Sequence, residues 1–242
     1  MDLGITGKVA LVTASSKGLG RASAEALAAD GARLVICARG ADALRETEKS
    51  IAALGADVLA IESDVTQPDQ PARLVAAAVE RFGGLDILVA NAGGPPPGRA
   101  LDVDDEQIVA AVNANLLTSV RLVREAVPHM RAKKWGRICL ITSSSIKQPI
   151  LTLSLSNTAR TGLWAWAKTA ANELFDDGIT LNTACPGLHD TDRVRSLGNA
   201  VTGRIGSPAD FGRVVAFLCS QHASFVSGTA LLVDGAMTAG LF

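Results

Sequence analysis

The sequence predicts an α/β protein built on a doubly wound parallel sheet of about seven strands, with helices on both faces. Three observations carry that expectation. Short β-rich apolar runs alternate along the chain with longer Ala- and Leu-rich amphipathic stretches. The short runs are continuously apolar, as strands covered on both faces should be. The longer stretches supply the crossover connections of about a dozen residues or more that parallel strands need.

The elements follow in order. Val9–Thr13 is the first strand, and a helix is expected over 19–29. Arg33–Ala38 leads into a helix over 41–54, and Val58–Glu62 into one over 69–82. Ile87–Ala90 is followed by Gly93-Gly94-Pro95-Pro96-Pro97-Gly98, a stiff loop, and then by a long helical stretch over 105–133. Arg137–Thr142 precedes a helix over 156–175, Thr180–Ala184 one over 208–219, and Ala230–Val233 closes the series. No repeat, linker or shift in composition divides the chain, so residues 1–242 are expected to form a single domain.

Composition narrows the function classes. Apolar residues make up 48% of the 242 and charged residues 19%, enough for a sizeable core and against disorder. A formal net charge of −1 gives no footprint for nucleic acid or an anionic membrane. No apolar run reaches membrane-spanning length, and Met1-Asp2-Leu3-Gly4 lacks the start of a secretory signal. Cys37, Cys139, Cys185 and Cys219 sit among apolar residues with no CxxC pair, which suits reduced core thiols and a cytoplasmic protein. His129, His189 and His222 are too scattered to suggest a metal site.

In an open sheet of this kind, ligands bind beyond the carboxyl ends of the strands where the strand order reverses. The first such loop is Thr13-Ala14-Ser15-Ser16-Lys17-Gly18-Leu19-Gly20, which opens directly into a helix. Glycines let backbone amides approach a pyrophosphate, and the helix amino terminus adds unpaired N–H groups and partial positive charge. The loop resembles the TGxxxGxG motif of the short-chain dehydrogenase/reductase family, with Ala14 in place of the first glycine. Asp64-Val65 matches that family's adenine contact, Asn91-Ala92-Gly93 its NAG motif, and Asn115 its helix asparagine. Pro186-Gly187-Leu188-His189-Asp190-Thr191 is similar to its PGxxxT loop beside the nicotinamide, and Gly228 to Gly235 to its final strand.

The resemblance covers essentially the whole chain. It implies a Rossmann fold, a nicotinamide cofactor, a small-molecule substrate, and a homodimer or homotetramer. The dimer contacts would lie on helices near 105–133 and 156–175. NAD-specific members carry an Asp near the end of the second strand, where this chain has Ala38 followed by Arg39. With Lys17 in the glycine loop, two cations and no carboxylate favour the extra phosphate of NADP, NAD being the alternative.

The catalytic half departs from the family. Its proton donor is the tyrosine of a Tyr-x-x-x-Lys pair, and this chain contains no tyrosine. Counting back from Asn172-Glu173-Leu174 puts Ser156 at the Tyr position and Arg160 at the Lys position. Counting forward from Gly136-Arg137-Ile138 gives Ser143 as the family's serine, thirteen residues before Ser156, so the two counts agree. Lys168 lies eight residues beyond Arg160 and has Trp164 before it, which discounts it.

A serine hydroxyl is far less acidic than a phenol, and losing a positioned acid–base group costs about two to four orders of magnitude in rate. Arg160 could still grip the nicotinamide ribose but is permanently protonated. Ser143 and Asn115 remain for positioning, and His189 or Lys147 are candidate substitute acids. The other reading of His189 is a surface loop residue. The lid expected near 191–204 is short, which disfavours long acyl substrates. Its Arg193 and Arg195 would either meet an acidic substrate or be solvated surface charge. These features predict an atypical NADP(H)-dependent oxidoreductase acting on a small carbonyl or alcohol, with a non-standard proton donor. The alternative is a catalytically inactive NADP(H)-binding sensor or scaffold.

Overall fold

A computed structural model describes residues 2–196 and 203–241, so part of the expected lid, residues 197–202, lies outside the described residues. Strands β1 (Val9–Val12), β2 (Arg33–Ala38), β3 (Val58–Glu62) and β4 (Ile87–Ala90) are followed by β5 (Gly136–Ile141), β6 (Ile179–Pro186) and β7 (Ala230–Val233). They form one seven-stranded sheet in the order β3-β2-β1-β4-β5-β6-β7, and every pairing is parallel. The order reverses between β1 and β4, which places the ligand crevice at their carboxyl ends.

The connecting helices are α1 (Gly18–Ala29), α2 (Ala41–Ala53), α3 (Gln70–Phe82), α4 (Asp105–Val112), α5 (Thr118–Lys133), α6 (Ser154–Phe175), α7 (Asp192–Arg195) and α8 (Pro208–Leu218). Strand periodicity sorts the core into two layers. Val9 and Leu11 of β1 join one apolar cluster with Leu74 of α3, Leu122 of α5 and Leu163 of α6. Ala10 and Val12 point the other way, to Leu27 of α1, Ile51 of α2 and Phe211 of α8. Both faces are therefore dry, which is the physical origin of the continuous apolar runs. α1 and α8 cross so closely that a Cβ at Gly212 would collide with the Ala22 carbonyl.

The stretch 105–133, expected as one helix, is divided. α4 begins with a capping box between Asp104 and Gln107 and ends at Val112. A π-helical turn covers Asn113–Leu117 before α5 resumes at Thr118. The Thr118 hydroxyl donates to the Asn113 carbonyl at 2.9 Å, and the widened turn holds Asn115 as a buried side chain. Such turns inside helices are rare and cluster at functional sites. α6 starts at Ser154 and not at the expected 156, because the Ser154 N–H and hydroxyl both donate to Gly98 O, at 3.0 and 2.9 Å. All four cysteines are free and buried, as read from their apolar surroundings. Among the described residues no helix is long and apolar enough to cross a membrane.

Candidate functional site

The crevice is built on a reciprocal tie between β1 and β4. The Thr13 hydroxyl donates to Asn91 O at 2.7 Å and accepts from Asn91 N–H at 2.9 Å. The Asn91 side chain also donates to Ala14 O at 3.2 Å. Gly20, in the first turn of α1, permits this closeness: a Cβ there would run into Ala14 O and stand 2.7 Å from Asn91 Nδ2. Ala14 itself takes φ +47°, the left-handed region that glycine adopts freely and alanine only at a cost. An alanine stands where the turn demands a glycine.

A cavity of about 580 Å³ lies over this floor. Of the glycine-loop candidates, Ala14, Ser16 and Lys17 line it. Ser15 does not. It is fully buried, donating its hydroxyl to Val12 O at 2.9 Å and accepting from Cys37 N–H at 3.1 Å, so it braces the loop against β2. Gly18, Leu19 and Gly20 also lie outside the lining and act through α1 packing. Arg39 follows β2 at the cavity edge beside Ala38, and Asp64 and Val65 follow β3. Asp64 is held by Thr66, whose N–H and hydroxyl donate to one carboxylate oxygen at 3.1 and 2.8 Å. Ala92, Gly93 and Gly94 line the side after β4, and a Cβ at either glycine would meet open space. The cavity runs on to Asn115. Lys17 Nζ lies 3.5 Å from the Asp192 carboxylate of α7, both side chains about two-thirds exposed at 67% and 65%.

Ser143 follows β5, Asn115 lies in the π-helical turn, and Ser156 and Arg160 lie on α6, from which Arg160 reaches the end of β5. Ser143 caps a 3₁₀ turn over Ser144–Ile146, its hydroxyl accepting from Ser145 N–H at 3.1 Å. That bond leaves the Ser143 O–H proton available to donate. Asn115 Oδ1 is buried and has no hydrogen-bond partner among the described residues. Ser156 and Arg160 are both buried and one turn apart on α6. Arg160 does not hang free: its Nη1 donates to Ile141 O at 3.0 Å and Thr142 O at 2.7 Å. Burial lowers its pKa to about 10, so it stays a cation at neutral pH.

The loop after β6 corrects one expectation, the surface reading of His189. His189 was expected at the nicotinamide loop as a substitute acid, or else at the surface. It is instead 4% exposed, its ring edge-on to Phe211 of α8 at 5.2 Å and its Nδ1 3.3 Å from Gly187 O. Like Ser143, Ser156, Arg160, Pro186, Gly187 and Thr191, it is not among the residues that line the cavity. Its apolar contact with α8 draws it into the core, and burial pushes its pKa below the ordinary imidazole value. Pro186 ends β6, and Gly187 is pinned by its N–H donating to Val233 O at 3.0 Å. Thr191 caps α7, accepting from Val194 N–H at 3.3 Å, and its methyl lies against Gly18. Lys147 stacks over the Trp164 ring at 4.2 Å. Of the lid arginines, Arg195 is engaged by Asp190 at 2.8 and 3.0 Å, whereas Arg193 reaches across to Pro95 O at 3.3 Å.

Sequence reasoning missed Ser63 and Thr66 after β3, and Gln107 and Ala110 on α4, which also line the cavity. The first two immediately flank Asp64-Val65, and that adjacency was the available signal.

Known proteins resemble this chain over nearly its whole length. A family model described as Enoyl-(Acyl carrier protein) reductase matches residues 13–238. The chain is 32% identical over 239 residues to the 3-oxoacyl-[acyl-carrier-protein] reductase MabA of Mycobacterium tuberculosis, covering 95% of this chain and 92% of that protein. It is also 32% identical over 243 residues to human dehydrogenase/reductase SDR family member 4, covering 96% and 87%. Among solved structures, L-sorbose reductase from Gluconobacter frateurii, complexed with NADPH and L-sorbose, superposes with a TM-score of 0.93. That pair is 33% identical and each chain is covered completely.

Proposed function

The chain belongs to the short-chain dehydrogenase/reductase family, and from that premise we propose that it is an NADPH-dependent reductase of small carbonyl compounds that works without the family's tyrosine. The observation that carries this reading is the cavity at the reversal of strand order. Its adenosine end carries Lys17 and Arg39, with Ala38 and not a carboxylate at the end of β2, and its lining runs on to Asn115. The residues fit a dinucleotide: Gly93 and Gly94 leave open space, and Gly20 lets α1 approach the floor. Lys17 and Arg39 would meet the 2′-phosphate, Asp64 and Val65 the adenine, and Ala92, Gly93, Pro186, Gly187 and Thr191 the remainder. Bound there, the reduced nicotinamide supplies the hydride.

The chain's own groups do the rest. The Ser143 O–H donates to the substrate carbonyl oxygen and polarises it. Asn115 Oδ1 has an unused acceptor and can hold a water, which hands a proton to the product alkoxide and takes one back from solvent. Ser156 presents a short side chain where the family has a phenol, leaving room for that water. Arg160 fixes the carbonyls beside Ser143 and so positions it. NADPH and NADH titration followed by tryptophan quenching tests the cofactor half, with NADPH expected to bind at least about tenfold tighter. NADPH oxidation across a carbonyl panel tests the chemistry, with Ser143→Ala expected to reduce turnover about 10²-fold. Tight NADPH binding with no turnover on any carbonyl would instead favour a sensor.

We also take the protein to be a homo-oligomer, since Leu101, Val109 and Leu151 leave large apolar side chains exposed around α4 and the start of α6. A monomer in sedimentation would refute this.

A further inference from the structure

Two segments far apart in sequence line the cavity side by side: the loop after β3, with Asp64 and Thr66, and the junction of α4 with the π-helical turn, with Ala111, Ala114 and Asn115. Asn113 joins them. It opens the π-helical turn and is not among the residues that line the cavity. Its Nδ2 donates to Thr66 O at 3.3 Å, and its Oδ1 accepts from Arg121 Nη1 of α5 at 2.9 Å. Its main-chain carbonyl accepts from the Thr118 N–H and, at 2.9 Å, from the Thr118 hydroxyl. One side chain therefore pins the turn both to α5 and to the loop after β3.

The partners dictate how the carboxamide faces. A guanidinium only donates and a peptide carbonyl only accepts, so the oxygen meets Arg121 and the amide meets Thr66. Aspartate would keep the first bond and lose the second, and leucine would lose both. Beyond Thr66 the bonds continue to Asp64. The Thr66 N–H and hydroxyl both donate to Asp64 Oδ1, and the Gln67 N–H closes the loop on Asp64 O at 3.0 Å. On the other side stands Asn115, 3% exposed, with its Oδ1 unpartnered among the described residues. Its Nδ2 makes one long bond, 3.5 Å to Ala111 O. Side-chain bonding thus does little to aim Asn115, and the backbone of the turn that Asn113 holds sets its direction.

We propose that Asn113 is a positioning residue that couples the two ends of the cavity, holding the turn that carries Asn115 in step with the loop that carries Asp64. This rests on the reductase reading for the identity of the ligand, and deepens it with a residue that touches neither cofactor nor substrate. An adenosine group seated at Asp64 steadies Thr66, the Thr66 carbonyl steadies the Asn113 amide, and the π-helical turn loses freedom in consequence. The coupling runs through bonded atoms at each step, from the loop after β3 to the backbone of Asn115.

Hydrogen–deuterium exchange of residues 63–67 and 112–118 tests this in the wild type, Asn113→Asp and Arg121→Met. Each protein is measured free and saturated with adenosine 2′,5′-bisphosphate, which has the adenosine end of NADPH and no nicotinamide. In the wild type the bisphosphate should slow exchange in both segments. In Asn113→Asp the carboxylate still accepts from Arg121, so protection of 63–67 should persist. Protection of 112–118 should fall about two- to tenfold, the share that one neutral hydrogen bond carries. Arg121→Met alters no residue lining the cavity but frees the carboxamide to turn, and should show a smaller loss in the same segment.

Structural weakening alone would speed exchange at 112–118 with and without ligand and leave their ratio unchanged. Direct contact of the ligand with Ala114 would protect the turn equally in all three proteins. Either of those results, or protection of 63–67 alone in the wild type, would overturn the inference and leave the reductase reading intact. Carbonyl turnover by the same proteins separates the two readings: coupled protection without turnover upholds the role of Asn113 and sinks the reductase. If calorimetry shows that neither the bisphosphate nor NADPH binds, both are overturned.

Discussion

The carboxylate of Asp192 sits 3.5 Å from the ammonium of Lys17, so the first turn of α7 is tethered to the glycine loop over the cofactor crevice. The pair is two-thirds exposed and contributes little to stability. On the proposed reading its weight falls on cofactor choice, because Asp192 would compete with the 2′-phosphate for the same cation. Asp192→Asn should tighten NADPH binding about two- to threefold. Lys17→Met should weaken NADPH about tenfold and leave NADH within about twofold. Parallel fluorescence titrations with both cofactors check this. Equal effects on the two would remove Lys17 from phosphate recognition.

Ala14 stores strain that glycine would release. Its φ of +47° costs a non-glycine residue about 1–2 kcal/mol. Ala14→Gly should raise Tm by about 2–4 °C for each kcal/mol recovered in a chain of this size, after allowing for the entropy glycine loses on folding. Calorimetry on the two proteins is sufficient, and a lower Tm in the variant would contradict the left-handed assignment.

Gly20 should be intolerant of any side chain. Its added Cβ would meet Ala14 O and Asn91 Nδ2, the latter at 2.7 Å, and both atoms belong to the hydrogen-bonded floor. Gly20→Ala is expected to cost about 1–3 kcal/mol and to weaken NADPH binding in the same variant. Urea midpoints and titrations would show both effects together. Full stability with normal binding would mean that the floor can move aside.

Acid sensitivity should pass through His189. Burial against Phe211 depresses its pKa below 6.5, opposed by the Gly187 carbonyl and the charge of Asp210. The unfolded imidazole therefore takes up its proton at a higher pH than the folded one. Stability from this residue is complete above a pH of about 6.5 and is lost as pH falls from there towards the folded value. Urea midpoints for the wild type should decline between about pH 7 and 5, more steeply than for His189→Leu. Parallel slopes would place the acid lability elsewhere.

Much of the fold was legible because burial on both faces writes itself into a strand as an uninterrupted apolar run. β2, β3, β4 and β7 fall where the runs did. β1 stops one residue short of the expected Thr13, whose hydroxyl is taken up in bonding to Asn91. The tight turn of the glycine loop was legible because close backbone approach restricts residue type, whereas Asp64-Val65 and Asn91-Ala92-Gly93 stood out only through the family resemblance. The π-helical turn at Asn113–Leu117 was not, since a single wide turn hardly alters the apolar period of the stretch around it. His189 misled because its burial depends on Phe211, a contact made only when α8 packs back on the sheet. The tie of Arg160 Nη1 to Ile141 and Thr142 is a long-range backbone contact that no local pattern records.

The exchange of hydrogen bonds between Thr13 and Asn91 bears on the rhythm of turnover. Two loops that already hold each other have little disorder left to surrender when a dinucleotide arrives, so capture should be quick and carry a small entropic penalty. Opening then becomes the slow event, and it would fall to the lighter Lys17–Asp192 tether at the rim, with the floor staying still.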